Sequence, residues 1–512
     1  MTTSSDTPTT GRSAEIEIRC PADGRTVGSV PDMGEAEVAA MASRLRAAQP
    51  EWQALGPRKR AEWLLRWNDW VLDNKRHLQE IVQLEGGKSW GDASIEPLAV
   101  TQTLRYAAAN GPAALGDDHP RAVGLPNVAK KLRVRHHPYP LVGVISPWNY
   151  PLAMPMFDTP FALVAGCAVL SKPSEVTPLA WVEAVKGWSE IGAPPVLDVA
   201  TGGGAAGAAV VDVVDMVQFT GSTATGRRIG ARAGERLIPC SLELGGKDPM
   251  IVLADADLER AANGAVWGGL FNAGQSCTAI ERVYVEAPVY DRFVEVVTEK
   301  VAAMRQGMDE PGSFRTDIGA LATQSQLDLV SRHVDEALAG GARATTGGRA
   351  AGEGFLYEPT VLVDVDQSMA CVQEETFGPV LPIIRVADAD EAVRLANDTV
   401  YGLSASIWTK DADRADALAD RLRVGAVNVN NCMINVFQFP LPHSGWQESG
   451  VGSRFGGAKG FLKFCRDQAY VTERVEPSSE LLWYPYTARV GGLMGKMVNL
   501  LAARDWRRRL RG

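Results

Sequence analysis

One cysteine of the chain lies in a segment that suits a reactive thiol. Cys277 ends the run Gly274-Gln275-Ser276-Cys277, which is small and polar and precedes the strand-like run ERVYV. A thiolate nucleophile needs partial exposure together with positive potential or hydrogen-bond donors. Cys277 is therefore the candidate nucleophile of the sequence. The alternative is a small buried core residue, which is the common environment of a cysteine.

Two other side chains could complete a site for covalent catalysis. Glu243, in LELGGK, ends a strand-like run just before two glycines, and a glutamate is rarely fully buried unless it is paired. Asn149, in PWNYP, stands between prolines that fix its backbone, so its amide could donate to a developing oxyanion. The alternatives are a surface ion pair for Glu243 and an Asx-type turn for Asn149.

Two strand ends resemble places where a nucleotide could bind. The run FTGSTATG, residues 219–226, predicts a strand, a glycine turn and a helix that begins with Ser or Thr caps. Such a helix N-terminus presents free N–H groups to a phosphate, although a capped turn without a ligand fits equally well. Lys172 and Glu175 follow another strand end, where an acid can accept hydrogen bonds from ribose hydroxyls.

The elements around these motifs follow the rhythm of parallel α/β sheets. From Leu141 to Glu243, short apolar runs alternate with helical stretches and glycine marks their ends, which indicates a doubly wound sheet. A second rhythm of the same kind follows, so we expect two α/β domains that meet near Gly245–Gly246. Helical periodicity covers about 34–86, where a tryptophan stripe indicates core packing.

Charge and cysteine usage exclude several classes of protein. A net charge of −9 argues against nucleic-acid binding, which needs a basic face. No run is apolar enough to span a bilayer, and the N-terminus lacks a signal-peptide core. The seven cysteines form no CxxC and no zinc spacing. We therefore expect a cytoplasmic protein with no metal site.

Taken together, the motifs resemble the NAD(P)-dependent aldehyde dehydrogenase superfamily. The runs PWNYP, KPSEVTP, FTGSTATG, LELGGKDP, FNAGQSCTAIERVYV and EETFGPVLP occur in the family's order over residues 141–382, and a weaker match continues to about 465. The resemblance implies an α/β fold: a Rossmann-like NAD-binding domain, a second α/β catalytic domain and a small β arm for oligomerisation.

The resemblance also implies domain boundaries. The NAD-binding domain would comprise 1–117 and 139–244, and the catalytic domain 245–445. The basic, strand-like segment 118–138 and the segment 446–480 would bridge subunits, and the strands at 118–138 and after Lys463 could pair. We therefore expect a homodimer or homotetramer.

The catalytic roles follow from the same resemblance. Cys277 corresponds to the nucleophile, Glu243 to the general base and Asn149 to the oxyanion donor. The implied reaction is NAD-dependent oxidation of an aldehyde to a carboxylic acid through a thiohemiacetal and a thioester on Cys277. Sulfur suits this chemistry because it is both a good nucleophile and a good leaving group.

The resemblance assigns a set of cofactor-binding residues. Glu175 favours NAD over NADP, because its carboxylate would repel a 2′-phosphate. Gly204 and Gly207 match close-approach glycines, in a stretch that is slightly short for the family. The full set is Trp148, Lys172, Glu175, Gly204, Gly207, Thr220, Gly221, Ser222, Gly226, Leu244, Glu375 and Phe377.

The substrate is left open by the sequence. His443 stands where relatives carry an aromatic residue near the substrate tunnel, and it could either titrate near neutrality or simply form a hydrogen bond. The expected substrate is an apolar aldehyde, of medium or long chain or aromatic. The alternatives are a semialdehyde of the succinate type, which would need an arginine in the tunnel, and a non-catalytic protein that keeps the fold.

The C-terminal segment 481–512 is basic and amphipathic. It carries seven Arg or Lys and one Asp, a net charge of +6, and Leu493, Met497, Leu500 and Leu501 share one helical face. Such tails are similar to those of fatty-aldehyde members of the superfamily. The helix could lie on an anionic membrane, or it could cap a subunit or cover the substrate tunnel.

Overall fold

The structure is a computed structural model that describes residues 14–124, 127–480 and 483–510. Parts of three predicted segments lie outside the described residues: 1–13 of the NAD-binding domain, 125–126 of the arm, and 481–482 and 511–512 of the tail. The strands are β1 (Glu15–Arg19), β2 (Thr26–Pro31), β3 (Lys130–Pro138), β4 (Leu141–Ile145), β5 (Ala168–Lys172), β6 (Leu197–Val199), β7 (Met216–Thr220), β8 (Cys240–Glu243), β9 (Asp248–Val252), β10 (Ile280–Glu286), β11 (Arg343–Thr346), β12 (Thr360–Val363), β13 (Val380–Val386), β14 (Ser404–Trp408), β15 (Ala426–Val429), β16 (Gly450–Val451) and β17 (Cys465–Glu473).

Helices alternate with these strands along most of the chain. They are α1 (Glu35–Ala54), α2 (Gly56–Gly86), α3 (Trp90–Ala114), α4 (Ala153–Met156), α5 (Thr159–Ala165), α6 (Leu179–Glu190), α7 (Gly204–Val213), α8 (Thr223–Arg236), α9 (Leu258–Leu270), α10 (Tyr290–Ala302), α11 (Gln324–Ala339), α12 (Ala370–Gln373), α13 (Ala389–Ala396), α14 (Ala412–Ala419), α15 (Ala458–Leu462), α16 (Ala488–Ala502) and α17 (Trp506–Arg509). Short 3-10 turns cover Phe271–Gly274, Ile434–Phe437 and Gln447–Ser449.

The first parallel sheet has the strand order of a doubly wound nucleotide-binding fold. Its order is β16-β8-β7-β4-β5-β6, and all pairs are parallel except β16 with β8. The chain starts in the middle at β4, runs outward through β5 and β6, and then returns to β7. The strand order therefore reverses between β4 and β7, and ligands of such sheets bind outside the carboxyl ends of the strands at that point.

In the second sheet, the residues of the site lie at the amino ends of the strands. Its order is β11-β12-β13-β10-β9-β14-β15, with only the pair β11 and β12 antiparallel. Gly246, Cys277 and Phe377 immediately precede the neighbouring strands β9, β10 and β13 respectively. The amino ends of those strands therefore supply the second wall of the site. The predicted α/β class with two parallel sheets is confirmed.

Helices α2 and α6 bury the tryptophan stripe that the sequence assigned to the core. Trp67 is fully buried, and its ring packs against Trp181 and Trp188 at centroid distances of 6.1 and 5.3 Å. Its indole N–H donates to the carbonyl of Ala184. The stripe thus packs the core, as predicted.

The chain separates into two compact units. The first comprises residues 1–114 and 138–464, and the second comprises 115–137 and 465–512. Strands β3 and β17 pair in a two-stranded sheet, as the sequence suggested for these segments. The structure differs from the sequence boundary at 446–464, which lies in the first unit: β16 adds to the first sheet, and α15 packs against α3 and α5.

The described part of the tail forms the predicted helix. Thr487 caps α16 by accepting a hydrogen bond from the backbone N–H of Val490, and none of the residues of α16 is buried. Leu493 and Leu500 are about half exposed. Across the described ranges, no helix combines the length and apolarity needed to cross a bilayer.

Candidate active site

The Cys277 loop is built on left-handed backbone. Asn272 and Ala273 both have φ of 55°, a conformation that is costly for residues other than glycine and that persists only when the surroundings impose it. Gln275 supplies much of that constraint. Its side-chain N–H groups donate to the carbonyls of Asn272 and Ala320, and its Oε1 accepts from the N–H of Ala322. Gln275 therefore fixes the loop that presents the neighbouring thiol.

The Cys277 thiol lies on the walls of two cavities. One is a cleft with about 810 Å³ of empty space, part of it open to solvent, and the other is a tunnel with about 580 Å³. Cys277 itself is half-buried. Burial raises the pKa of its thiol to about 12, and the positive charge of Arg454 opposes that rise. The thiol is therefore protonated at neutral pH, and its attack on a carbonyl requires a group that accepts the proton.

The cleft gathers most of the residues that were assigned to the cofactor and to catalysis. The indole of Trp148 and the ring of Phe377 lie edge to face across it, with centroids 5.4 Å apart. Of the predicted site residues, its wall includes Trp148, Asn149, Thr220, Gly221, Ser222, Leu244, Cys277, Glu375 and Phe377. Residues separated by more than 200 positions in the chain thus meet in one cleft.

The phosphate motif has the predicted local structure. Strand β7 ends at Thr220, and helix α8 begins after Ser222, whose hydroxyl accepts a hydrogen bond from the N–H of Thr225. Gly226 touches Leu244, because a Cβ at Gly226 would lie 2.4 Å from the Leu244 side chain. The glycine at position 226 is therefore required by packing within the protein.

The other predicted cofactor residues lie at the same edge of the sheet, outside the cleft wall. Lys172 ends β5, and its ammonium lies 3.0 Å from the carboxylate of Glu175, whose side chain is 45% exposed. Gly204 and Gly207 lie in the first turns of α7, and a Cβ at either position would meet open space. Among the residues that the structure describes, no contact explains these two glycines, and the open space over them leaves room for a ligand to approach the backbone.

Asn149 is held rigidly between the two sheets. It is buried, and its side-chain amide donates to the carbonyl of Gln275 over 3.0 Å. Its own carbonyl accepts from the ammonium of Lys88 and the amide of Asn272. Lys88 pairs in turn with Glu96 at 2.8 Å. The amide can therefore be aimed at a developing oxyanion from a fixed backbone.

Glu243 ends β8 between two neighbouring strands. It pairs with Thr220 of β7 on one side and with Gly450 of β16 on the other. The side chain is 3% exposed, and one carboxylate oxygen has no hydrogen-bond partner among the described residues. The other oxygen lies 3.5 Å from Nε2 of His443. Burial raises the pKa of Glu243 to about 8, which places its titration near the pH at which a general base is most effective.

His443 does not titrate near neutrality, so that alternative is wrong. The imidazole is buried, and burial together with the charges of Arg454 and Lys463 lowers the pKa of His443 to about 3. Its ring packs 6.0 Å from that of Phe455. The structure places a neutral histidine in the tunnel wall, with its Nε2 atom 3.5 Å from the Glu243 carboxylate.

A pair of glycines lets the two sheets approach each other beside the thiol. A Cβ at Gly246 would lie 2.5 Å from the carbonyl oxygen of Cys277, and one at Gly245 would overlap the carboxylate of Glu375. The N–H of Gly246 donates to that carboxylate over 3.0 Å. Glu375 is half-buried in the cleft wall, and its desolvation there raises its pKa.

Several buried ionic side chains that position the site carry no local sequence signal. Lys247 and Glu281 form a buried pair, and the Glu281 carboxylate accepts from the N–H groups of Thr376 and Phe377. This pair fixes the loop that presents Phe377. Strand β10 also contains Arg282 and Glu286, so nothing in its sequence marks Glu281 as the partner of Lys247.

No cluster of metal-ligating side chains is present in the described ranges. The structure combines a doubly wound sheet, a capped helix N-terminus at its switch point and a thiol on the wall of the same cleft. This combination is typical of a dinucleotide-dependent oxidoreductase.

Comparisons with known proteins identify the family. A sequence profile described as the Aldehyde dehydrogenase family matches residues 9–470. A protein of Mycolicibacterium smegmatis, provisionally named succinate-semialdehyde dehydrogenase (NADP+), is 40% identical over 88% of this chain and 87% of its own. The 4,4'-diapolycopene aldehyde oxidase of a Methylomonas species is 36% identical over 91% of this chain and 88% of its own. The chain belongs to the aldehyde dehydrogenase family and is an enzyme of that family.

The fold agrees with a solved structure of the same family. The provisionally named aldehyde dehydrogenase PutA of Anabaena variabilis superposes with a TM-score of 0.86 at 35% identity. The match covers 92% of this chain and all of that one. The Rossmann-like sheet and the second α/β sheet described above are therefore those of the family.

Proposed function

We propose that the protein oxidises an apolar aldehyde to its carboxylic acid with NAD, through a thiohemiacetal and a thioester on Cys277. The observation that carries this proposal is the position of the Cys277 thiol, which borders both the cleft at the nucleotide-binding edge and the tunnel. A thiol placed there can bond to an aldehyde that enters from one side while a cofactor occupies the other.

The cleft fits a dinucleotide. Helix α8 points its capped N-terminus at the switch point, where N–H groups can bind a pyrophosphate. The open space over Gly204 and Gly207 and the acid at Glu175 lie along the same edge. Trp148 and Phe377 would hold the nicotinamide end. When bound, the nicotinamide supplies a hydride acceptor.

Each catalytic side chain has a distinct task in the proposed reaction. The Cys277 sulfur bonds to the aldehyde carbon, and we propose that Glu243 accepts the thiol proton. The Asn149 amide and the backbone N–H of Cys277 donate to the oxyanion. Loss of hydride to the acceptor leaves a thioester, and Glu243 then releases the thiol proton to solvent. Water attacks the thioester as Glu243 takes a proton from it, and that proton passes on to the sulfur. The carbon–sulfur bond then breaks, releasing the acid and the thiol.

NAD is the proposed cofactor, because the Glu175 carboxylate would repel a 2′-phosphate. The Mycolicibacterium relative, in contrast, is named for NADP(+), so the preference for NAD is measured directly. The test is kcat/KM for NAD and for NADP with one aldehyde. We expect a higher value for NAD; a higher value for NADP would contradict the assignment.

The tunnel wall favours an apolar substrate. Aromatic and aliphatic side chains make up most of it: Ile95, Ala99, Tyr150, Ala153, Met154, Phe157, Trp267, Phe271, Met433, Val436, Phe437 and Phe455. Burying an aliphatic chain against such a wall contributes about 0.8 kcal/mol per CH₂ group. The relative named for a diapolycopene aldehyde is consistent with this class of substrate.

A semialdehyde is the second candidate, and one observation favours it. Arg454 lies in the tunnel wall, where an arginine could bind a carboxylate, and the Mycolicibacterium relative is named for succinate semialdehyde. However, the guanidinium of Arg454 already binds Asp158 and Thr220. We therefore expect kcat/KM to be higher for octanal or benzaldehyde than for succinic semialdehyde. The opposite order would establish the second candidate.

The arm supports a proposal about assembly. Strands β3 and β17 form a sheet of only two strands, and an isolated pair of strands is at best marginally stable. Val471 of β17 is largely exposed, and so is Val475, which follows the end of that strand. We propose that this sheet is completed by another copy of the chain, giving a homodimer or homotetramer. Native mass spectrometry tests this, and a monomer at micromolar concentration would refute it.

The tail supports a proposal of peripheral membrane contact. Leu493, Leu500 and Leu501 each expose about half of their surface on α16, and the tail carries a net charge of +6. Such a helix can lie in the surface of an anionic bilayer. The intact chain should sediment with phosphatidylserine vesicles and much less with phosphatidylcholine vesicles. Equal sedimentation after deletion of 481–512 would contradict the proposal.

A further inference from the structure

Three charged side chains form a buried cluster behind the candidate base. Nε of Arg454 lies 3.2 Å from one carboxylate oxygen of Asp158, and the ammonium of Lys463 lies 3.3 Å from the other. The side chains of Arg454 and Asp158 are 1% and 2% exposed, and that of Lys463 is 13% exposed. We name this set, Asp158, Arg454 and Lys463, the ionic cluster.

The ionic cluster adjoins the strand that carries Glu243. Arg454 donates to the hydroxyl of Thr220, and Thr220 is the sheet neighbour of Glu243. The backbone N–H of Arg454 donates to the carbonyl of His443, whose ring faces the Glu243 carboxylate. Arg454 also borders the tunnel together with Cys277. Its charge therefore acts on both reacting groups.

The charges of this region balance only when Glu243 is ionised. Arg454 provides one positive charge and protonated Lys463 a second, and Asp158 compensates one of them. Burial lowers the pKa of Lys463, whereas the charges of Asp158 and Glu243 raise it. His443 stays neutral because its pKa is lowered to about 3. Burying an uncompensated charge is costly. The carboxylate of Glu243 is the remaining negative charge beside the ionic cluster, so the second cation stabilises that carboxylate.

Burial and the ionic cluster act against each other on the titration of Glu243. Burial raises its pKa to about 8, while Arg454, then Lys463, lower it and Asp158 raises it. Arg454 also lowers the pKa of Cys277, whereas the Glu243 charge raises it. The two cations of the ionic cluster therefore lower the pKa of Glu243, and its one anion raises that pKa.

We infer that Arg454, supported by Lys463, is the positioning residue that favours the carboxylate form of Glu243 against the effect of its burial and so sets the pH range in which the acyl-enzyme is hydrolysed. This inference rests on the proposed function, because it assigns the base role to Glu243. The inference also implies that Arg454 is not a substrate-binding residue, because its charge stabilises the Glu243 carboxylate.

The experiment measures hydrolysis of the acyl-enzyme against pH without the cofactor. 4-Nitrophenyl acetate can acylate a nucleophilic thiol to the same class of thioester, and quenched samples give the decay rate by mass spectrometry. We expect Arg454→Gln to move the midpoint of the profile upward by about one pH unit, because an adjacent opposite charge lowers a carboxyl pKa by about 1–3 units. Lys463→Gln should move it in the same direction by less.

A variant whose midpoint should shift in the opposite direction is the discriminating control. Asp158→Asn should move the midpoint downward, whereas a structural defect would lower the rate without opposite shifts. Arg46→Gln is a matched control: Arg46 forms a partly exposed pair with Asp215, and its profile should coincide with that of the intact enzyme. Unshifted midpoints in Arg454→Gln and Lys463→Gln would overturn the inference. If the intact protein forms no thioester at Cys277, the proposed function itself fails.

Discussion

The steady-state rate of thioester hydrolysis should rise with pH around a midpoint near 8. Burial raises the pKa of Glu243 to about 8, and only the ionised carboxylate can take a proton from water. The ionised fraction is then about one-tenth at pH 7 and about nine-tenths at pH 9. Hydrolysis should therefore accelerate about tenfold between pH 7 and pH 9, which is the direction expected for a base whose pKa is raised.

Glu243→Gln removes the titrating group and should separate the two halves of the reaction. The variant should still release about one NADH per Cys277, in a burst that is slower than that of the unaltered enzyme, because water must replace Glu243 as the acceptor of the thiol proton. Its later steady-state rate should fall by about 10²–10⁴-fold and lose its dependence on pH.

Stopped-flow absorbance at 340 nm between pH 6.5 and 9.5 records both phases. Glu190→Gln is the matched control, because Glu190 is an exposed carboxylate paired with Lys186, and it should behave as the unaltered enzyme. A flat profile in the unaltered enzyme, or an unchanged steady-state rate in Glu243→Gln, would refute the assignment of Glu243.

Three other substitutions probe the remaining contacts. Asn149→Ala should lower kcat by about 10²–10³-fold, and a change of only a few-fold would show that the amide is not the oxyanion donor. Glu175→Gln should increase the ratio of kcat/KM for NADP to that for NAD by about tenfold, equivalent to about 1.4 kcal/mol; an unchanged ratio would remove Glu175 from cofactor selection. Lys88→Met leaves the buried Glu96 without its cation and should lower the free energy of unfolding by about 3–5 kcal/mol, measured by urea denaturation; a loss below about 1 kcal/mol would show that the pair is unimportant for stability.

The local motifs could be predicted from the sequence because each depends on neighbouring residues. The turn from Thr220 to Ser222 followed by a capped helix needs only a strand end, a glycine and a hydroxyl, and the structure contains it. Asn149 and Cys277 lie in short segments whose composition already limits what they can do. Which strands bring these segments together then follows from the rules of parallel sheets.

The ionic groups behind those motifs could not be predicted in this way. Asp158, Arg454 and Lys463 come from α4–α5, the segment after β16 and the end of α15, and nothing in their spacing indicates that they meet. Their contacts depend on the packing of β16 beside β8, in a segment that the sequence had grouped with the arm. His443 lines the apolar cavity beside Cys277, but its neutral state depends first on its burial and then on the charges of Arg454 and Lys463, none of which its sequence position indicates.

The most direct test of the account is the identity of the atom that becomes acylated. The Glu243→Gln variant is mixed with NAD and octanal, quenched in acid after the burst, digested and analysed by mass spectrometry. The account predicts that the peptide containing Cys277 gains the mass of the aldehyde less two hydrogens, as a thioester requires, and that Cys277→Ala shows neither adduct nor NADH. NADH formation without an adduct on Cys277, or an adduct on another cysteine, would contradict it.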